Sequence, residues 1–160
     1  MMQVNSHFSI NRPRPTLPDV VEIGGVHCRA GRPLPKDLED FVSGAKDGLS
    51  KWLPVQDIMS HPNTKLFITH GGLLSTQEAI YHGVPLVGIP LFGDQDLNIN
   101  RYVSAGLAVS LEILGIQEKG IFEAINTALN TPTLQENVKT MSRLFRDQPM
   151  SAIDTAVFWS

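Results

Sequence analysis

Five polar side chains gather in one stretch of this chain. They are His70, Ser75, Glu78, Asp94 and Gln95, all within "FITHGGLLSTQEAIYHGVPLVGIPLFGDQ" (residues 67–95). His70 ends a short apolar run and is followed by Gly71-Gly72. Glycines let a ligand come close to the backbone, and the start of a helix offers it unpaired N–H groups and a positive dipole end. His70 and the Ser75 hydroxyl can each add a hydrogen bond to phosphate oxygens. The same residues also describe an ordinary tight strand-to-helix turn with a capping Ser. Glu78 has two readings as well, a capping-box partner of Ser75 or an acceptor for the vicinal hydroxyls of a ribose. Gly93-Asp94-Gln95 sets a carboxylate beside an amide, which suits a sugar's hydroxyls and also suits a plain turn. No Lys or Arg lies in residues 67–95. An anion held here must therefore be held by local geometry.

These side chains need strands and helices to position them. "KLFIT" (65–69) is predicted as a short buried strand, Ser75 as the N-cap of a helix "STQEAIYHG", and Gly83 as its stop. "VPLVGIP" (84–90) is the next strand, "DLNINRYVSAG" the next helix and "LAVSLEI" (107–113) a third strand. In "EKGIFEAINTALN" (118–130), Ile121, Phe122, Ile125 and Leu129 recur at helical spacing, and two further helices follow in "TLQENVKTMSRLFRDQ" and "SAIDTAVFWS". Alternating strands and helices imply βαβ units and a parallel sheet covered on both faces, an α/β fold. Ligands of such sheets bind beyond the carboxyl ends of the strands, where His70 and Asp94 stand. Residues 1–40 are different. "NRPRPTLPD" and "GRPLPKDLED" are rich in proline, which blocks helix interiors and central strands. Only "VVEIGGVH" between them reads as a strand, and the segment looks too poor in apolar periodicity to build its own core.

Other residues and the bulk composition narrow the chemistry. Trp52 in "KWLPVQD" offers a flat face to a base, or packs as core. His70 and His82 are too far apart to share a helical face and His61 precedes a proline, so no metal set is expected. The single Cys28 rules out an internal disulfide and a cysteine metal cluster. With 160 residues, 42% hydrophobic and 18% charged, the chain suits one folded domain. Its net charge of −3 gives no general attraction to nucleic acid or anionic lipid. No stretch reaches the roughly 18 apolar residues of a membrane span, and "MMQVNSHFSI" lacks the pattern of a signal peptide.

Together, "KWLPVQD…HPNTKLFITHGGLLSTQEAIYHGVPLVGIPLFGDQDLN" resembles the donor-binding signature of the UDP-glycosyltransferases, nearest to the animal UDP-glucuronosyltransferase and insect UDP-glucosyltransferase type. The likeness extends through "VNSHFSINRPRP", "VVEIGGVH" and "SRLFRDQPMSAIDTAVFW". It implies a GT-B architecture of two Rossmann-like halves, and a donor site in which Trp52 stacks on the uracil. His70, Gly72 and Ser75 would hold the diphosphate, Glu78 the ribose, and Asp94 with Gln95 the sugar. Gln56 stands beside Val55, which occupies the place of the family's uracil-contacting Gln. The donor substrate would be a UDP-sugar, with no metal or other cofactor, and the acceptor a small lipophilic hydroxyl compound bound by the N-terminal half.

The resemblance also implies departures. Residues 1–40 would be the end of the N-terminal half with a Pro-rich linker, and 41–160 an incomplete UDP-sugar-binding domain. The general base, a His of the N-terminal half, would lie outside this chain, leaving no catalytic residue within it and the chain alone inactive. Where "GAKDG" meets "LSKWLP", a βαβ unit with a phosphate loop is missing, and "VVEIGG" is placed to lie along the vacated sheet edge. The family is lumenal in the endoplasmic reticulum membrane. This chain, stopping at Ser160 before the membrane helix, is expected to be soluble. The alternative function is a non-catalytic truncated isoform that associates with glycosyltransferase chains, like or unlike itself, and modulates them.

Overall fold

The computed structural model describes residues 1–11, 15–44 and 53–160. Its centre is a three-stranded parallel sheet in the order β3-β4-β5, built from β3 (Phe67–Thr69), β4 (Leu86–Gly88) and β5 (Ala108–Ser110). Phe67 pairs with Leu86 and Leu86 with Ala108, so the three carboxyl ends stand in step. The crossovers are α3 (Leu73–His82) and α4 (Gln95–Ser104). Successive side chains of a strand point to opposite faces, and β4 shows it. Leu86 joins a core with Ala79 and Ile80 of α3, Ile99 and Tyr102 of α4, and Val138 and Phe145 of α6 (Pro132–Arg146). Val87 turns the other way, onto Ala124 and Ala128 of α5 (Glu118–Asn130). Helices thus cover both faces.

The bounds of α5 are those read from its sequence, but its buried face is not. Ala124 and Ala128, one turn apart, face the sheet, while Phe122 is 70% exposed. Small residues let the helix lie close to β4, while Ile121 and Ile125 are half-buried and Phe122 and Leu129 are left outside.

Among the described residues, "VVEIGG" does not pair along the edge of β3. β2 (Val20–Glu22) pairs in parallel with β1 (Met2–Val4), a strand too short to show a period, and the two form a separate sheet. The segment also enters the main core through Ile10. His7 packs its ring on Phe145, and Asn11 accepts from Arg101 Nη1 at 2.7 Å. α1 (Lys36–Gly44) runs across the 40/41 boundary, and α2 (Val55–Ser60) precedes β3. After α6 the short α7 (Ala152–Phe158) closes the chain, capped by Ser151, whose Oγ accepts from Asp154 N. No described helix is long and apolar enough to cross a membrane.

Candidate functional site

The N-cap of α3 lies three residues earlier than its sequence suggests. Gly72, not Ser75, is the N-cap, and Ser75 sits in the first turn with Oγ donating to Gly72 O at 3.2 Å. Glu78 is consequently well inside the helix and cannot act as a capping-box partner. The correction strengthens the anion-facing character of this end. Among the described residues no hydrogen bond engages the backbone N–H groups of Gly72, Leu73, Leu74 or Ser75. Such a row of free donors at the positive end of a ten-residue helix is where an anion binds.

His70 leans over this end. A Cβ placed on Gly72 would lie 2.8 Å from His70 Nε2, so the exposed imidazole occupies space that only glycine leaves open. Gly71 makes the turn between them at φ +92°, pressed so close to α4 that a Cβ would meet Ile99 Cγ1 at 2.6 Å. This turn is locked from two sides. Its N–H donates to Thr69 Oγ1 at 3.2 Å, and its carbonyl accepts from Asn98 Nδ2 at 3.1 Å.

Asn98 joins the two strand ends. Its buried amide also donates to Asp94 Oδ2 at 2.9 Å, so one side chain holds the loop after β3 against the loop after β4. The sequence reading missed it, although the i, i+4 spacing from Asp94 was a usable signal. Gln95 is divided in its duties. Its Oε1 accepts from the N–H groups of Leu91 (2.9 Å) and Phe92 (3.2 Å), fixing the second loop, while Nε2 has no partner among the described residues. A hydroxyl in the crevice would find an amide donor there and, at Asp94, an acceptor.

Glu78, one turn further into α3, accepts from Gln56 Nε2 at 3.0 Å. Gln56 in turn accepts from Arg29 N at 2.9 Å and donates to His27 O at 3.1 Å. Next to it Asp57 binds both terminal guanidinium nitrogens of Arg29 (2.5 and 2.9 Å) and the Arg32 N–H (2.8 Å). That pairing holds the Asp57 carboxyl down at about 2. Burial, with the nearby Glu78 carboxylate, pushes the Cys28 thiol up to about 12, so it is not a nucleophile. Trp52 lies outside the described residues.

His70, Gly72, Ser75, Glu78, Asp94 and Gln95 are therefore drawn along one lip by β3, β4 and the first turns of α3 and α4. Exposed Leu74, Leu91 and Phe92 flank it. Two cavities lie elsewhere. One of about 130 Å³ runs between Gly24-Gly25 and Phe145. The other, about 380 Å³, lies beside Lys139, Arg143 and Arg146. Its cations face the carboxyl end of α3 at His82-Gly83, where positive charge complements the helix dipole. The lip belongs to neither. Among the described residues no group of three His, Cys, Asp or Glu is placed to hold a metal ion.

The comparisons with known proteins agree with this fold. A family model described as UDP-glucoronosyl and UDP-glucosyl transferase matches residues 1–50 and 44–160. Human UDP-glucuronosyltransferase 2B15 is 35% identical over 209 aligned positions, covering 99% of this chain and 39% of the relative. Human UDP-glucuronosyltransferase 2A1 is 40% identical over 162 positions, covering 98% and 31%. The chain thus spans about two fifths or less of the length of these relatives. Against 2B15, 209 positions for 160 residues leave at least 49 without a counterpart here, whereas the 162 positions against 2A1 leave few. The two family matches overlap at 44–50, where the sequence reading expects a βαβ unit to be absent. The glycotransferase of kitacinnamycin superposes with a TM-score of 0.60 at 25% identity, over 67% of this chain and 27% of its own. A UDP-glucose:anthocyanidin 3-O-glucosyltransferase in complex with UDP gives 0.58 at 24% identity, over 68% and 26%, and shares the fold.

Proposed function

We propose, for a chain that belongs to the UDP-glucoronosyl and UDP-glucosyl transferase family, that the lip is a UDP-sugar site and that the chain is the donor-binding part of a UDP-glycosyltransferase. The reaction it serves is sugar transfer to a small lipophilic hydroxyl compound. The observation that carries this reading is the Asn98 bridge, which brings a free helix N-terminus and the Asp94-Gln95 pair to one crevice. In this arrangement the N–H groups of residues 72–75, with His70 and Ser75, take the diphosphate. Glu78 accepts from the ribose hydroxyls. Asp94 accepts from the sugar, and Gln95 Nε2 donates to it.

The missing cations fit this division. With no Lys or Arg in residues 67–95, the diphosphate is held by N–H dipoles, which act at contact distance and survive salt better than exposed ion pairs do. A superposable protein is named as a complex with UDP, which is in keeping with the same ligand here. Trp52 is proposed as the uracil platform from the family resemblance alone. Transfer needs a base for the acceptor's hydroxyl proton, and the lip is assigned none, so the chain by itself is proposed to bind donor without turning it over. Titrating the 160-residue chain calorimetrically with UDP, a UDP-sugar and uridine tests the proposal. Saturable binding of the first two and much weaker binding of uridine is expected. No saturable heat with UDP or the UDP-sugar contradicts it.

A further inference from the structure

Gln56 stands next to the position expected to touch uracil, yet its amide has no N–H left to offer a base. Both hydrogens of Nε2 are taken, by His27 O (3.1 Å) and Glu78 Oε1 (3.0 Å), and Oε1 accepts from Arg29 N (2.9 Å). The neighbours fix the orientation of the amide. Turned over, it would set its NH₂ against the Arg29 N–H, and its oxygen against a carbonyl and a carboxylate. Asp57 clamps the same segment through the Arg29 guanidinium and the Arg32 N–H, so residues 27–32 are strapped to the first turns of α2. Gln56 is the link by which this strap reaches α3. It takes one oxygen of Glu78 from behind and leaves Oε2 without a partner among the described residues.

We infer that Gln56 is a positioning residue rather than a base contact: it pins Glu78 through Oε1 so that Oε2 is presented to the vicinal hydroxyls of a ribose. The role rests on the nucleotide reading of the lip. A glutamate on a helix surface has three rotatable bonds, and fixing it before the ligand arrives removes an ordering cost from binding. A hydrogen bond to a charged group is also shorter and stronger than one between neutral groups.

The experiment compares UDP with 2′,3′-dideoxyuridine diphosphate, which lacks the diol, on the full chain and its Gln56→Met and Gln56→Glu variants. Gln56→Glu keeps the side chain's size and its acceptor for Arg29 N while setting a carboxylate against Glu78, and melting curves verify that each variant is folded. UDP affinity is expected to fall about tenfold in either variant, while the dideoxy ligand binds the variants and the unaltered chain equally. In a Glu78→Ala background, Gln56→Met is expected to add no further loss. An equal loss for both ligands, or additive losses in the double variant, would mean that Gln56 acts through the fold and not through Glu78. Unchanged UDP affinity in both Gln56 variants, with Glu78→Ala still weakening it, overturns the role but leaves the site. Absence of UDP binding by the unaltered chain removes both.

Discussion

Gln77 is the misfit among the side chains of α3. It is fully buried, and neither Oε1 nor Nε2 has a hydrogen-bond partner among the described residues. A buried polar group without a partner costs about 1–3 kcal/mol. Methionine has nearly the same length and volume and no such demand, so Gln77→Met is expected to stabilise the chain. Each kcal/mol recovered should raise Tm by about 2–4 °C for a protein of this size. A lower Tm in a thermal melt would show that Gln77 is satisfied in solution. Its neighbour Glu78 illustrates why single residues were only partly legible. The sequence marked it as important, but its capping-box reading relied on where α3 starts. That start is set by the Gly72 cap and the contact of Gly71 with Ile99, neither of which a local pattern reveals. Gln95 was named for its donors and acceptors, yet its oxygen is spent on the Leu91–Phe92 turn, and only the fold shows the division.

Among elements, the strands and helices from residue 65 onward were legible because hydrophobic runs, glycine stops and helical spacing repeat there. The N-terminal segment was not. β1 has only three residues, and the packing of Ile10 and His7 against α6 is a long-range contact with no periodicity behind it. That packing carries a pH dependence. Burial lowers the pKa of His7 below the ordinary 6.5, and burial, then Arg146 and Arg29, lowers that of His82. The folded chain therefore favours neutral imidazoles. Their contribution is complete above pH 6.5 and is lost as protons bind the unfolded chain preferentially below it. Tm is expected to fall between pH 7.5 and 5.5. Asp57, at about 2 against an ordinary 3.8, adds a second loss between about pH 4 and 2. A Tm that stays flat or rises from pH 7.5 to 5.5 would place both histidines in water.

At the scale of the whole molecule, family and fold class were legible, since the motif from Lys51 to Asn98 is long and its spacing close to fixed. What could not be read was how residues 1–40 are used. Their described strands pair with each other and not with the central sheet, and His27 and Arg29 brace the lip through Gln56. The Asn98 bridge and this brace make the lip a property of the assembled chain rather than of one motif. The central claim is that the assembled lip binds UDP through His70 and Glu78. The most direct measurement is calorimetric UDP affinity of the 160-residue chain beside folded His70→Ala and Glu78→Ala variants. Each lost bond to diphosphate or ribose should cost about 1–3 kcal/mol, a weakening of about 5- to 150-fold. UDP affinity unchanged in both variants, or no UDP binding by the unaltered chain, would contradict it.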